Sequence, residues 1–83
     1  MARLAAALRA LGLTGRISPS GRLVTLQGER CPVYVAEAPR DGGYYTWCDD
    51  PAARVVEHYR DAASAIRAGL RRASFRDPSE EES

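Results

Sequence analysis

The sequence contains no lysine, and all twelve of its basic residues are arginine. It has no apolar run near the 18 residues that a transmembrane helix needs, which predicts no membrane span. Its two cysteines and single histidine do not form the closely spaced set of a zinc site. Gly15 and Gly21 lie in a turn-rich segment, but no lysine follows them as in a phosphate-binding loop. The sequence therefore predicts no metal, no cofactor and no catalytic residue.

The chain has 83 residues, which is close to the lower limit for a single hydrophobic core. Residues 77–83 hold four acidic side chains and no basic one, which predicts a disordered acidic tail after one domain at 1–76. Without that tail, twelve basic and seven acidic residues remain, a net charge of +5. The excess of arginine fits either an anionic partner or the codon usage of a GC-rich genome. Because Arg9 interrupts the apolar N-terminus, we expect a cytoplasmic protein without a signal peptide.

The order of patterns predicts an α+β fold with helices on either side of a sheet. Leucines at positions 4, 8 and 11 predict an N-terminal helix over Ala2–Leu11, with Gly12 as its left-handed end. The segment Thr14–Gly21 is interpreted as a connector, because it is rich in turn residues. Three extended segments then predict an antiparallel meander of three strands, at 22–27, 31–37 and 44–49.

The turns between these segments set the expected strand register. A four-residue loop at Gln27–Arg30 and another at Arg40–Gly43 would place Cys48 opposite Val35. Alternation along the strands then gives two faces. One face carries Val24, Leu26, Cys31, Val33, Val35 and Cys48, and the other carries Leu23, Tyr34, Tyr45 and Trp47.

Two predictions remain open for the segment after Asp49. Asp50–Pro51 has the composition of a helix start, and apolar residues at helical spacing would continue that helix to Ala73. Alternatively, Arg54–Tyr59 forms a fourth strand, and Asp61 caps a shorter helix over Ala62–Ala73. In either case Gly69 would mark close packing of the helix against the sheet.

The aromatic row Tyr34, Tyr45 and Trp47 is the main candidate binding surface. Exposed rings on a sheet anchor protein partners, or stack on bases while arginines such as Arg22 and Arg40 neutralise phosphates. The competing interpretation places the rings in the core under Leu4 and Leu8 of the N-terminal helix. We therefore expect a small non-catalytic module that binds another protein or a second copy of itself. Nucleic-acid binding is the alternative.

An enzyme based on Cys48 and His58 is a third hypothesis, since an imidazole can activate a neighbouring thiol. The sequence shows neither an orienting group nor an oxyanion loop beside them, and a lone histidine is more often a packing or surface residue. The expected register places Cys31 and Cys48 too far apart for a disulfide, so both thiols are expected to be free.

The arginine and alanine bias and the segment Tyr44–Pro51 resemble those of short uncharacterised proteins of GC-rich actinobacteria. The resemblance implies a bacterial protein and brings no known activity. No functional residue can be transferred from it.

Overall fold

The computed structural model describes residues 3–49 and 56–73, and its elements form an α+β fold. They follow in the order α1 (Arg3–Ala10), β1 (Arg16–Ile17), β2 (Leu23–Gln27), β3 (Pro32–Glu37), β4 (Tyr44–Cys48), β5 (Glu57–Tyr59) and α2 (Ala62–Ala73). The class is as predicted, but the expected three or four strands were too few, because the antiparallel sheet has five. No helix in the described ranges is long and apolar enough to cross a membrane.

The first helix ends as its sequence predicts. Gly12 has φ of 70°, and its N–H donates to the carbonyl of Arg9 at 3.1 Å. The N–H of Leu13 donates to the carbonyl of Leu8 at 2.9 Å. This pair of bonds is a Schellman motif, in which a left-handed glycine lets the chain satisfy the last helical carbonyls.

The strands follow one another across the sheet in chain order, from β1 at one edge to β5 at the other. β1 lies within the segment that was interpreted as a connector, and it pairs Arg16 with Thr25 and Ile17 with Val24. Two residues are too few to show alternation, so the surrounding turn residues concealed this strand.

Both hairpin registers are shifted by two residues from the prediction. Cys48 lies opposite Val33, and Pro32 lies opposite Gln27. The second connection has six residues, 38–43, two more than predicted, and the N–H of Ala38 donates to the carbonyl of Gly43 across it at 2.9 Å. A shift of two residues keeps every side chain on its side of the pleat. The predicted face assignments are therefore confirmed although the pairings were wrong.

The core lies on one side of the sheet, where both helices pack. Leu4 and Leu8 of α1 are buried there, and so are Ala65 and Ile66 of α2. The strands contribute the alternate residues Val24, Leu26, Val33, Val35, Tyr44, Thr46 and Cys48. This placement overturns the interpretation in which α1 covers the aromatic row.

The last helix begins directly after Asp61, the cap that one of the two predictions assigned to it. The N–H of Ser64 donates to Oδ2 of Asp61 at 3.0 Å, and the Ser64 hydroxyl donates to Oδ1 at 2.8 Å. These bonds lower the pKa of Asp61. Of the two predictions, the strand followed by a short helix is the observed one: the strand is Glu57–Tyr59, the fifth of the sheet, and residues 54 and 55 of its predicted range lie outside the described residues. The predicted helix start at Asp50–Pro51 and the predicted acidic tail at 77–83 lie outside the described residues.

Candidate binding surface

The face of the sheet opposite the core is called the open face here, because neither α1 nor α2 packs against it. Its strand positions alternate with the core residues and form cross-strand rows. One row runs through Arg16, Thr25, Tyr34 and Trp47, and the neighbouring row runs through Leu23, Ala36, Tyr45 and His58. The apolar side chains in these rows are half-buried. Val56 precedes β5 and is 57% exposed, which extends the apolar surface to that edge.

Tyr34 and Trp47 form the centre of the open face. They are directly opposite each other on β3 and β4, and their rings stack with centroids 5.5 Å apart and an interplanar angle of 21°. Stacking fixes the orientation of both rings and contributes about 0.5–1.5 kcal/mol beyond the burial of their area. A third ring inserted between them would need about 7 Å, twice the usual contact distance of carbon atoms. A ligand can therefore reach only their outer faces and edges.

Tyr45 is on the same face but is engaged in holding the β3–β4 loop. Its hydroxyl donates to the carboxylate of Asp41, and its ring packs edge-on against His58 with centroids 5.2 Å apart. The hydrogen bond to Asp41 raises the pKa of Tyr45. A ring nitrogen of His58 is also hydrogen-bonded to the carbonyl of Gly42. Tyr45 thus extends the surface while its polar end is occupied.

The structure does not bring Arg22 and Arg40 to the stacked rings. Arg22 precedes β2, where its carbonyl accepts from the N–H of Glu37 at 2.9 Å, and Arg40 lies in the β3–β4 loop. Both side chains are exposed at the end of the sheet where β3 stops. That end is three residues along β3 from Tyr34, about 10 Å. The expected pairing of these arginines with the aromatic row is therefore not observed.

Arg16 is the arginine that shares a row with Tyr34, and it is not among the predicted site residues because β1 was not predicted. A groove on the open face follows β2 beside it. Its lining comprises Thr14, Gly15, Arg16, Thr25, Leu26, Gln27, Pro32 and Tyr34. A predicted pairing of β1 with β2 would have placed Arg16 beside Thr25 on the open face. A strand of two residues is too short to show the alternation of apolar and polar residues from which strands are predicted.

Cys48 and His58 lie on opposite sides of the sheet. Cys48 is buried on the core side, where its thiol donates to the carbonyl of Gly69 at 3.5 Å. His58 is exposed on the open face. This separation leaves the imidazole unable to activate the thiol, so the hypothesis of a Cys48–His58 enzyme has no geometric support. Cys31 and Cys48 are not joined by a disulfide.

Within residues 3–49 and 56–73, no three potential metal ligands from histidine, cysteine, aspartate or glutamate lie together. The open face is thus the feature of the described structure on which a function can be argued. Comparison of the chain with protein-family models, with curated proteins and with solved structures finds no match.

Proposed function

We propose that this protein is a small binding module that docks a partner protein through the open face of its sheet. The observation that carries the proposal is the one-sided packing of the domain. Both helices cover the core side of the sheet, while Tyr34 and Trp47 are half-buried on the open face. A Trp–Tyr pair held rigid by stacking is the kind of group that dominates binding energy at protein interfaces.

The charge distribution of the open face supports a protein partner. Among the strand positions of its described rows, Arg16 is the one arginine, and there is no lysine, aspartate or glutamate. The centres of protein interfaces are depleted of charged residues and enriched in aromatic ones. The outer side of α2 is a poorer docking surface by the same criterion. Its apolar residues face the core, and Arg67 and Arg71 are exposed.

Nucleic-acid binding remains the alternative. It requires several phosphate contacts and free ring faces for base stacking. Arg22 and Arg40 lie away from the rings, which gives little support for several phosphate contacts. Tyr34 and Trp47 stack on each other, so each has only one ring face left for a base. The alternative still makes a distinct prediction: oligonucleotides should quench Trp47 fluorescence, and salt should reverse the quenching.

The proposal can be tested by comparing the proteins captured by the wild type and by a Tyr34→Ala/Trp47→Ala double variant. Arg67→Ala on the exposed side of α2 is the matched control. A specific partner should be retained by the wild type and the control and lost from the double variant. Calorimetry with the purified partner should then show that Trp47→Ala weakens binding by about 2 kcal/mol or more, as for an interface hot spot.

Two further measurements complete this test. Circular dichroism should show that the double variant is folded, so that loss of binding is not loss of structure. Light scattering of the wild type should distinguish a heterologous partner from a second copy of the chain. If every captured protein binds the double variant as well as the wild type, the open face is not the binding surface and the proposal fails.

A further inference from the structure

The groove along β2 joins a cation to an aromatic ring across a small residue. Arg16, Thr25 and Tyr34 are neighbours in one cross-strand row, with Thr25 in the middle. Adjacent strands are about 4.8 Å apart, which separates the backbones of Arg16 and Tyr34 by about 10 Å. Because threonine is much shorter than the side chains on either side, the row has a dip at Thr25, and this dip forms part of the groove.

The lining of the groove suits a carboxylate next to apolar carbon. Arg16 supplies planar N–H donors, the hydroxyls of Thr14 and Thr25 can donate as well, and the outer face of Tyr34 provides an apolar wall. The ion pair of Arg72 with Glu57 lies on the core side of the sheet, away from the groove. No described carboxylate lies within ion-pair distance of Arg16.

From this geometry we infer that the groove binds an acidic side chain of the partner protein, on an extended segment whose neighbouring apolar residue contacts Tyr34 and Trp47. The inference rests on the proposed function and names the chemistry of the partner. A guanidinium and a carboxylate form two parallel hydrogen bonds, so Arg16 would set the position of the segment while the rings supply apolar contact.

Two other occupants fit less well. The strand rows of the open face hold no carboxylate, and the two beside them are poorly placed in a second copy: Asp41 accepts from the Tyr45 hydroxyl, and Asp49 lies past the end of β4. A nucleic-acid backbone needs several cations in series, whereas the described lining of this groove contains one arginine. Both occupants are distinguished by the experiment below.

The test uses an acetylated and amidated six-residue peptide that alternates glutamate with leucine, and a counterpart in which glutamine replaces glutamate. The full-length protein is titrated with each peptide, following Trp47 emission and the amide NMR signals of β1 to β3. The glutamate peptide should bind about five- to tenfold more tightly than its counterpart, a difference of about 1–1.4 kcal/mol. Raised salt should reduce that preference.

Arg16→Gln should abolish the preference for glutamate and leave the binding of the glutamine peptide unchanged. Arg22→Gln, which removes an exposed arginine at the end of the sheet, should keep the preference. NMR shifts should centre on Arg16, Thr25 and Tyr34. The Arg16→Gln result tests the inference alone. The proposed function is tested independently of Arg16, by the loss of partner capture in the Tyr34→Ala/Trp47→Ala variant.

Several outcomes would overturn the inference. Equal affinity for the two peptides, or no binding at low-millimolar concentration, would show that the groove does not select a carboxylate. Tighter, salt-sensitive binding of a single-stranded oligonucleotide at Arg16 would assign the groove to nucleic acid. Binding of the peptide only after Glu80, Glu81 and Glu82 are changed to glutamine would assign it to the chain's own acidic end.

Discussion

Thr46 is fully buried in the core, and its hydroxyl has no hydrogen-bond partner among the described residues. The hydroxyl points toward α2, where a Cβ placed on Gly69 would lie 2.5 Å from it. A buried hydroxyl without a partner costs about 1–3 kcal/mol in proteins. The residue therefore destabilises the core at the centre of β4.

Thr46→Val should raise the free energy of unfolding by about 1 kcal/mol, because a methyl group of nearly the same shape replaces the unpaired hydroxyl. Urea denaturation measures the change. Thr25→Val on the open face is the matched control and should shift stability by no more than about 0.5 kcal/mol. A loss of stability in Thr46→Val would show that the hydroxyl has a partner after all.

Gly69 allows α2 to lie directly on the sheet. A Cβ at this position would be 2.4 Å from Cγ1 of Val33 as well as close to Thr46. Such distances require either the helix or the strand to move. The sequence-based prediction that Gly69 marks close packing is confirmed, because a glycine within a helix is unfavourable unless a close approach compensates for it.

Gly69→Ala should lower the free energy of unfolding by about 1–3 kcal/mol through overpacking, despite the better helix propensity of alanine. The double variant Gly69→Ala/Val33→Ala should lose less than the sum of its single changes, since Val33→Ala removes the clashing methyl group. Denaturant unfolding of all four proteins gives the coupling energy. Strict additivity would contradict the proposed contact.

Among the elements, β5 is tied to α2 by the ion pair of Glu57 and Arg72, with Nε and Oε1 3.0 Å apart. The hydrogen bond from Arg72 is the main reason why the pKa of Glu57 is lowered. A depressed pKa contributes stability above the unfolded-state pKa, and that stability is lost as the pH falls through the folded-state value. Both side chains are about one-third exposed, so solvent screening keeps the effect small.

Glu57→Gln should therefore lower stability at neutral pH by no more than about 1 kcal/mol, and the difference from wild type should shrink as the pH falls from the unfolded-state pKa of about 4.3 through the lower folded-state value. Unfolding curves measured across that range check the prediction. Glu29→Gln, in the exposed β2–β3 turn, is the control and should track the wild type throughout. A gap that persists at low pH would mean that Glu57 acts through packing and not through its charge.

The elements also show how far the sequence predicts this fold. The end of α1 was predictable because Gly12 decides it locally, whereas Asp61 was one of two starts that the sequence allowed for α2. Strand pairings were not, because the length of the β3–β4 loop depends on the closure between Ala38 and Gly43. The sides of the sheet nevertheless came out correctly, since alternation survives a shift of two residues.

The candidate site was predictable to a similar extent. Tyr34 and Trp47 were expected on one face and are found stacked there. Arg16 could not be identified, because its position depends on a two-residue strand that forms only by pairing with β2. Whether the aromatic face is covered was also beyond the sequence, since leucines at positions 4 and 8 could have packed against either side.

At the scale of the whole molecule, the two faces of the sheet should differ in their contribution to stability. Leu4 is completely buried, and Leu4→Ala should cost about 2–5 kcal/mol. Trp47→Ala, on the half-buried open face, should cost only about 1–2 kcal/mol, mostly through lost stacking. Denaturant unfolding compares the two variants directly. An equal cost would place Trp47 in the core and remove it from the binding surface.

The sheet's sequential strand order has a further consequence for how the chain reaches its native state. Because each strand pairs with its neighbour along the chain, the sheet can assemble hairpin by hairpin with short loop closures. Such nearest-neighbour pairings need shorter loop closures than a sheet with crossover connections, which favours faster folding. The contact between α1 and α2 joins the two ends of the domain. It closes the longest loop, so we expect it to form last.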